Sequence, residues 1–277
     1  MATDGEFLVE TTGPALPRRS ALYAAGEDLR RGYAGAVFER RYHGPIFGVV
    51  ESGAFKYHCE SGEAIVAPGS IIFGNAGESF GCAHLDDKGN RRSVVAIADG
   101  LLEEAAEEAG AQPRFATAIF APGPRNLAMQ AAIRQVARSR EALEDVVVAL
   151  LVDAFGLEPA SVGRSSEQEA RRILDVVRFL ESRFDEPNQL TDLAAAAGIS
   201  RFHFLRQFRR LVGISPTQFL IGLRLRAAAE RLEDGAAPVT EIALDVGFND
   251  ISHFNQLFRR AYRMPPSRWR ARRQAKP

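Results

Sequence analysis

Between residues 46 and 98 the apolar residues fall in short runs: IFGVV, EAIVAPG, SIIFG and SVVAIA. Turn formers separate them, at Ser52-Gly53, Ser61-Gly62, Pro68-Gly69, Asn75-Ala76-Gly77 and Asp87-Lys88-Gly89-Asn90. Short strands with turns this frequent predict an antiparallel barrel or sandwich. The pattern then lengthens. LLEEAAEEAG over 101–110 predicts a short helix stopped by Gly110. Residues 125–139 and 141–155 predict two amphipathic helices, the second carrying VVVALLVDAF. Glu158 to Ser166, EPASVGRSS, has linker composition.

From Glu167 onward the period is helical, and seven helices are expected. The first spans about 168–184, with Ile173, Leu174, Val177, Leu180 and Phe184 at 3–4 spacing. A short second helix, about 191–197, has Thr191 as a candidate N-cap, and Gly198 supplies the positive φ of a tight turn. Ser200 caps a third over about 201–212. A fourth, about 216–233, has Pro216 in its first turn, where a missing N–H costs nothing. The fifth (about 240–246), Gly247, the cap Asp250 and the sixth (about 251–262) repeat the second and third, and a short seventh follows Pro265-Pro266.

That repetition extends to the residues themselves. Ser200 to Pro216 reads SRFHFLRQFRRLVGISP and Asp250 to Pro266 reads DISHFNQLFRRAYRMPP. At an offset of 50, six of the 17 positions match: His203/His253, Phe204/Phe254, Phe208/Phe258, Arg209/Arg259, Arg210/Arg260 and Pro216/Pro266. At about 100° per residue, Phe204, Phe208 and Leu211 share the buried side of the third helix, as Phe254, Phe258 and Ala261 do in the sixth. Phe202, Arg206 and Arg209 face outward in one, with Leu205 and Arg210 flanking. Ser252, Gln256 and Arg259 face outward in the other, flanked by Asn255 and Arg260. Ser, Asn, Gln and Arg carry the donors and acceptors that match base edges in a DNA major groove, and an exposed Phe or Leu suits a thymine methyl. The helix between the copies is a stiff spacer of about 25 Å, on the scale of the ~34 Å between successive major-groove faces.

Charge separates the two halves. The whole chain is neutral, but residues 1–165 hold 16 basic and 22 acidic residues, net −6, and residues 166–277 hold 19 and 13, net +6. The basic half suits a polyanion. At 46% hydrophobic over 277 residues the chain can bury two cores. The start, MATDGEFLVETTG, lacks the basic-then-apolar order of a signal peptide, and the longest apolar run, Val146 to Val152, is far short of the ~20 residues a membrane span needs. Two cysteines make no disulfide framework. A cytoplasmic location without membrane attachment is the expectation.

At the repeated residues the chain resembles the AraC/XylS family of bacterial transcription regulators. The resemblance covers about residues 168–270 and rests on LAAAAGISRFHFLRQFRRLVGISPTQFL and IALDVGFNDISHFNQLFRRAYRMPPSRWR, with Pro265 where the family often has Ser or Thr. It implies a non-enzymatic DNA-binding regulator acting on double-stranded DNA and RNA polymerase, more often an activator than a repressor. By resemblance, base reading falls to Phe202, Leu205 and Arg206 in the first probe and to Ser252, Asn255 and Gln256 in the second. Backbone contact falls to Ser200, His203, Arg209, Arg210, Arg259 and Arg260. The segment GAFKYHCESGEAIVAPGSIIFGNAGESFGCAH resembles the cupin-like sensor domain often found ahead of this module. The expected class is thus α+β: a cupin-like β-barrel with flanking helices over 1–160, and an all-α domain with two helix-turn-helix motifs over 167–277. The resemblance also implies a homodimer, with Val146, Val147, Val148, Leu150 and Leu151 packing on the barrel or on a second subunit.

The N-terminal half offers weaker chemistry. Its histidines and both cysteines fall between His43 and His84. His58 and Cys59 are neighbours in a strand and point to opposite faces. Cys82 and His84 share a face and, with His58, are candidates for lining an effector pocket. With His43 or His58 they would make a soft three-ligand metal site, although no cofactor is expected and the H-x-H…E motif of enzymatic cupins is absent. Rival readings are a metal-dependent cupin enzyme, a protein taking alkyl groups from DNA onto Cys59 or Cys82, and a ligand-free regulator whose barrel only dimerises.

Overall fold

The computed structural model describes residues 16–30, 37–60, 62–84, 89–157 and 165–274. The first 15 residues, the turn at Asp87-Lys88, most of the 158–166 linker and the last three residues lie outside them.

The N-terminal domain is a two-sheet sandwich. One sheet has the order β1–β8–β3–β6–β9, with β1 Tyr23–Arg30, β3 Ile46–Ser52, β6 Ile71–Gly74, β8 Asn90–Ile97 and β9 Ile119–Phe120. The other runs β2–β7–β4–β5, with β2 Val37–Arg41, β4 Phe55–Cys59, β5 Gly62–Val66 and β7 Ser79–Ala83. All the pairings are antiparallel. The expected barrel is corrected in one respect: among the described residues the two sheets share no ladder, so they pack face to face without closing.

The continuous apolar runs have a simple cause. The five-stranded sheet is covered on both faces, so alternate residues serve two cores. In β3, Ile46 and Val50 pack between the sheets with Phe55, Tyr57 and Phe80. Phe47 and Val49 point the other way, to a second core shared with the helices. Those helices are α1 Asp99–Ala109, α2 Leu127–Arg138 and α3 Glu144–Phe155. Gly110 ends α1 in the left-handed region, φ 63°, as its place in the sequence required. Val147, Leu150 and Leu151 of α3 are buried in this same core, with Val146 and Val148 partly buried against it. Most of the apolar run from Val146 is therefore used inside the chain. Strands β1 and β2 escape the sequence pattern, because YAAGEDLR and VFERR are polar and charged. Asp28 of β1 is nevertheless buried, ion-paired to Arg92 of β8.

The C-terminal part is seven helices: α4 Glu167–Ser182, α5 Leu190–Ala196, α6 Arg201–Val212, α7 Pro216–Asp234, α8 Val239–Asp245, α9 Ile251–Tyr262 and α10 Pro266–Gln274. The repeat is larger than the matched residues suggest. Helices α4–α6 and α7–α9 form two three-helix units, and both open with a capping box, Ser166/Glu169 in one and Ser215/Gln218 in the other. Gly198 and Gly247 occupy corresponding turns with φ 67° and 91°. Thr191 is a correction: Gln189 precedes the helix without a side-chain cap, and the Thr191 hydroxyl bonds Asp192 inside the first turn. Phe204, Phe208 and Phe219 are fully buried in the first unit's core, Phe254 and Phe258 in the second's. Each such ring contributes about 1.5–3 kcal/mol by burial.

Both helical cores take residues from the N-terminal domain. Ala54, Ile65 and Ala67 lie in the core of α4–α6, and Leu127 lies in the core of α7–α9. Backbones come close there: a Cβ on Gly222 of α7 would lie 3.2 Å from the Gly123 Cα, and one on Gly213 would lie 2.6 Å from the Ala121 Cβ.

The two units end their last helices, α6 and α9, differently. Gly213 follows α6 with φ 87°, whereas Arg263 follows α9 with φ 58°, the sole non-glycine positive φ among the described residues. A side chain in that conformation costs on the order of 1 kcal/mol. We expect Arg263→Gly to raise the thermal midpoint and Gly213→Ala to lower it, the latter more strongly because the new methyl also meets Ala121. Paired thermal melts of the two variants check this.

Candidate nucleic-acid interface

The site begins with its caps. Ser200 Oγ accepts the His203 N–H at 3.4 Å, and Asp250 Oδ1 accepts the Ser252 and His253 N–H groups at 2.8 and 3.0 Å. A capped start satisfies donors the helix cannot and fixes where its first residues point. The core rings then set the rotation. With Phe204, Phe208, Phe254 and Phe258 inside, the residues between them must face out.

On α6, Phe202, His203, Arg206 and Arg209 are exposed, and Leu205 and Arg210 are half-buried. Phe202 is 85% exposed, an unusual place for a large ring without a partner. On α9, Ser252, His253, Asn255, Gln256, Arg259 and Arg260 are all exposed. Asn255, Gln256, Arg259 and Arg260 line one open concavity with Pro265. The residues expected to read bases and those expected to meet the backbone thus lie together on one side of each helix. Helix α7, 19 residues long, spans about 28 Å between the two units at 1.5 Å per residue.

The arginines differ between the copies. Arg206, Arg209, Arg259 and Arg260 form no ion pair among the described residues, so their charge is available to a ligand. Arg210 is held instead, its Nη2 donating to Glu169 Oε1 at 3.1 Å. The same oxygen accepts Gln207 Nε2 at 2.8 Å. Glu169 and Gln207 were not among the sequence candidates. The S-x-x-E capping signature at Ser166 marks Glu169 as a helix start, and nothing in the sequence announces its reach to α6.

In the N-terminal domain the candidate pocket residues separate. Cys82 points inward, packed with Cys59 against the core between the sheets, and His84 is buried with its ring 5.4 Å from that of Phe55. His58 lies on the other face, directly over Gly81, with Nε2 4.0 Å from Glu39 Oε1. The register explains this: Tyr57, not His58, stands opposite Cys82. His58 does line an open groove of about 450 Å³ with Glu39, Arg40, Arg41, Cys59, Glu60, Ser79 and Phe80. In the core between the sheets Tyr42 and Tyr57 share a hydroxyl contact of 3.1 Å, and burial, then Tyr42, pushes the Tyr57 hydroxyl well above its usual pKa. No group of three or more His, Cys, Asp or Glu side chains able to hold a metal exists among the described residues. No helix among them is long and apolar enough to cross a membrane.

Two family descriptions match the chain: an AraC-like ligand binding domain over residues 27–158 and a helix-turn-helix domain over residues 193–272. The chain pairs an AraC-like ligand-binding domain with an AraC-type helix-turn-helix domain. Among its relatives is the transcriptional regulator YbfI of Bacillus subtilis (strain 168), 26% identical over 214 residues, 75% of this chain and 78% of that protein. The transcriptional activator RhaS of Escherichia coli O139:H28 is 32% identical over 110 residues, 40% of each chain, so this chain spans well under two thirds of that regulator. Among solved structures, the DNA-binding domain of AdpA in complex with a target DNA is 34% identical, covers 38% of this chain and 94% of that one, and superposes with a TM-score of 0.37.

Asp250 anchors the second probe with two N–H contacts. We expect Asp250→Ala to cost about 1 kcal/mol and to speed hydrogen exchange at the first turn of α9 while leaving the first turn of α6 unchanged.

Proposed function

We propose that this chain is a sequence-specific transcriptional regulator of the AraC family that lays α6 and α9 in two major-groove segments of one duplex. The observation that carries the reading is the duplicated three-helix unit, whose two exposed faces hold Phe202, Leu205 and Arg206 in one copy and Ser252, Asn255 and Gln256 in the other. These residues read base edges and thymine methyls. Ser200, His203, Arg209, Arg210, Arg259 and Arg260 meet the phosphodiester backbone. The net charge of +6 over residues 166–277 supports the same partner.

The functional division falls at 1–160 and 167–277. The N-terminal domain receives a small-molecule effector and forms the homodimer. The match of residues 27–158 to an AraC-like ligand binding domain, and the groove beside His58, support the effector reading. Activation, through contact with RNA polymerase in the cytoplasm, follows the activator RhaS, to which 110 residues of the chain are 32% identical. The relatives are regulators, and the protein acts without catalysis of its own. An effector shifts the population of the two-domain packing and so changes DNA affinity.

Selection of bound sequences from a random DNA pool at physiological salt tests the reading. Two conserved blocks about one helical turn apart are expected, and an enriched pool without any motif overturns it. On the selected site, Arg206→Ala and Gln256→Ala each cost about 1–3 kcal/mol and relax base preference in one block only. Arg260→Ala weakens all sequences alike and lowers the salt slope by about one. Equal, sequence-blind losses from all three variants contradict the face assignment.

A further inference from the structure

Glu169 stands in the first turn of α4, in the capping box with Ser166: its Oε2 accepts the Ser166 N–H at 3.1 Å. Its other oxygen, Oε1, takes Gln207 Nε2 at 2.8 Å and Arg210 Nη2 at 3.1 Å. Gln207 is only 3% exposed, and its Nε2 also lies 2.9 Å from His203 Nε2. His203, Gln207 and Arg210 sit at i, i+4 and i+7, so one carboxylate governs a whole column of α6. The adjoining column, one residue earlier at each step, is Phe202, Arg206 and Arg209.

The hydrogen bonds fix the amide of Gln207. Reversing it would set Oε1 against the carboxylate, so Nε2 must face Glu169. Its second proton then goes to His203 Nε2, which must carry its own proton on Nδ1. Gln207 Oε1 is left enclosed without a partner. An orphaned buried acceptor is costly, and the charge-assisted bond to Glu169 keeps the amide in that orientation nonetheless. Among the described residues the second unit has no such tie. Its cap partner is the neutral Gln218, bonded to Ser215 alone, and Leu257 stands where the first unit has Gln207.

The first unit is also tied to the N-terminal domain at this point. Ser165, just before the cap, donates its N–H to Glu63 Oε2 at 3.3 Å, and its carbonyl lies 3.5 Å from Lys56 Nζ. Lys56 and Glu63 are paired at 2.9 Å across the β4–β5 hairpin. The Ser166 N–H, then the Arg210 guanidinium and the Gln207 amide, hold the Glu169 carboxyl below its ordinary pKa.

We propose that Glu169 is a positioning residue for DNA reading by α6. It acts through Gln207 and Arg210 to set the angle at which Phe202, Leu205 and Arg206 meet the bases, and α9 works without an equivalent. The inference rests on the DNA-reading proposal above.

The test is random-pool selection and binding with the full chain and three variants: Glu169→Ala, Glu169→Gln and Ser166→Ala. The α6 block is identified beforehand as the block that Arg206→Ala erases. Glu169→Ala is expected to flatten that block, weaken binding to the selected site about tenfold, and leave the α9 block intact. Glu169→Gln, which keeps an acceptor but not the charge, falls between this and the parent. Ser166→Ala removes the same helix cap and leaves the motif unchanged, which separates positioning from simple loss of helix stability; thermal melts confirm that each variant is folded. An unchanged motif in Glu169→Ala overturns the inference, as does an equal loss in Ser166→Ala. Tighter, sequence-blind binding by Glu169→Ala with a salt slope steeper by about one also overturns it, since Glu169 would then be withholding Arg210 from phosphate. A parent selection with no motif overturns the DNA reading, and this inference with it.

Discussion

The contact between Gly222 of α7 and Gly123, with Leu127 just beyond it, is the constraint on which the arrangement of both probes depends. Helix α7 belongs to the two helical units at once: it follows α6, opens the second unit and supplies Phe219 to one core and Leu225, Ala228 and Leu232 to the other. The N-terminal domain presses on it where no side chain intervenes. Ala54, Ile65 and Ala67 complete the first core and Leu127 the second. The angle between α6 and α9 is therefore set from outside the helical domain as well as from within it. Any displacement of the sheets would reach α6 and α9 together through packed side chains, which switch between arrangements more readily than they deform.

Charges at the same boundary add orientation rather than strength. Arg134 of α2 is buried between Glu51 of β3, at 3.1 Å, and Glu230 of α7, at 3.5 Å, and Ser93 supports Glu51 at 2.8 Å. Burial, and then the nearby Arg134, depress the basicity of Arg226 one turn earlier on α7. Taking such groups out of water costs about as much as their pairing returns, so the network contributes little net stability. What it does is penalise any docking that separates Arg134 from its two carboxylates. The apolar contacts hold the domains together, and the ion pairs select one way of doing so.

The helical half was legible in the sequence because its rules are local. Ser200, Asp250, Pro216, Gly198 and Gly247 each mark a helix end through their own backbone or side-chain chemistry, and α6 and α9 fall where the caps put them. The outward residues follow from 3.6-residue periodicity around the buried rings. The sandwich was legible only in part. The doubly covered strands β3, β6 and β8 show as apolar runs, while β1 and β2 are made by long-range pairing of charged sequence, such as Asp28 with Arg92. The grouping of His58 with Cys82 and His84 failed on register, since one residue's shift along a strand changes the face. Glu169 and Arg134 were invisible for the same reason: each acts on residues about 40 to 100 positions away, and no local pattern encodes such a partner.

The borrowed core residues bear on how the chain is made. A ribosome delivers the sheets first, so Ile65 and Leu127 are already in place when the helices emerge. The first helical unit needs that surface to close its core instead of generating all of its own. A fragment beginning at Glu167 would lack that template and carry two uncovered apolar patches, at the sites that Ile65 and Leu127 fill in the whole chain. The helical half is thus completed by its neighbour: part of what a free domain would have to bury for itself is supplied by the sheets and by α2.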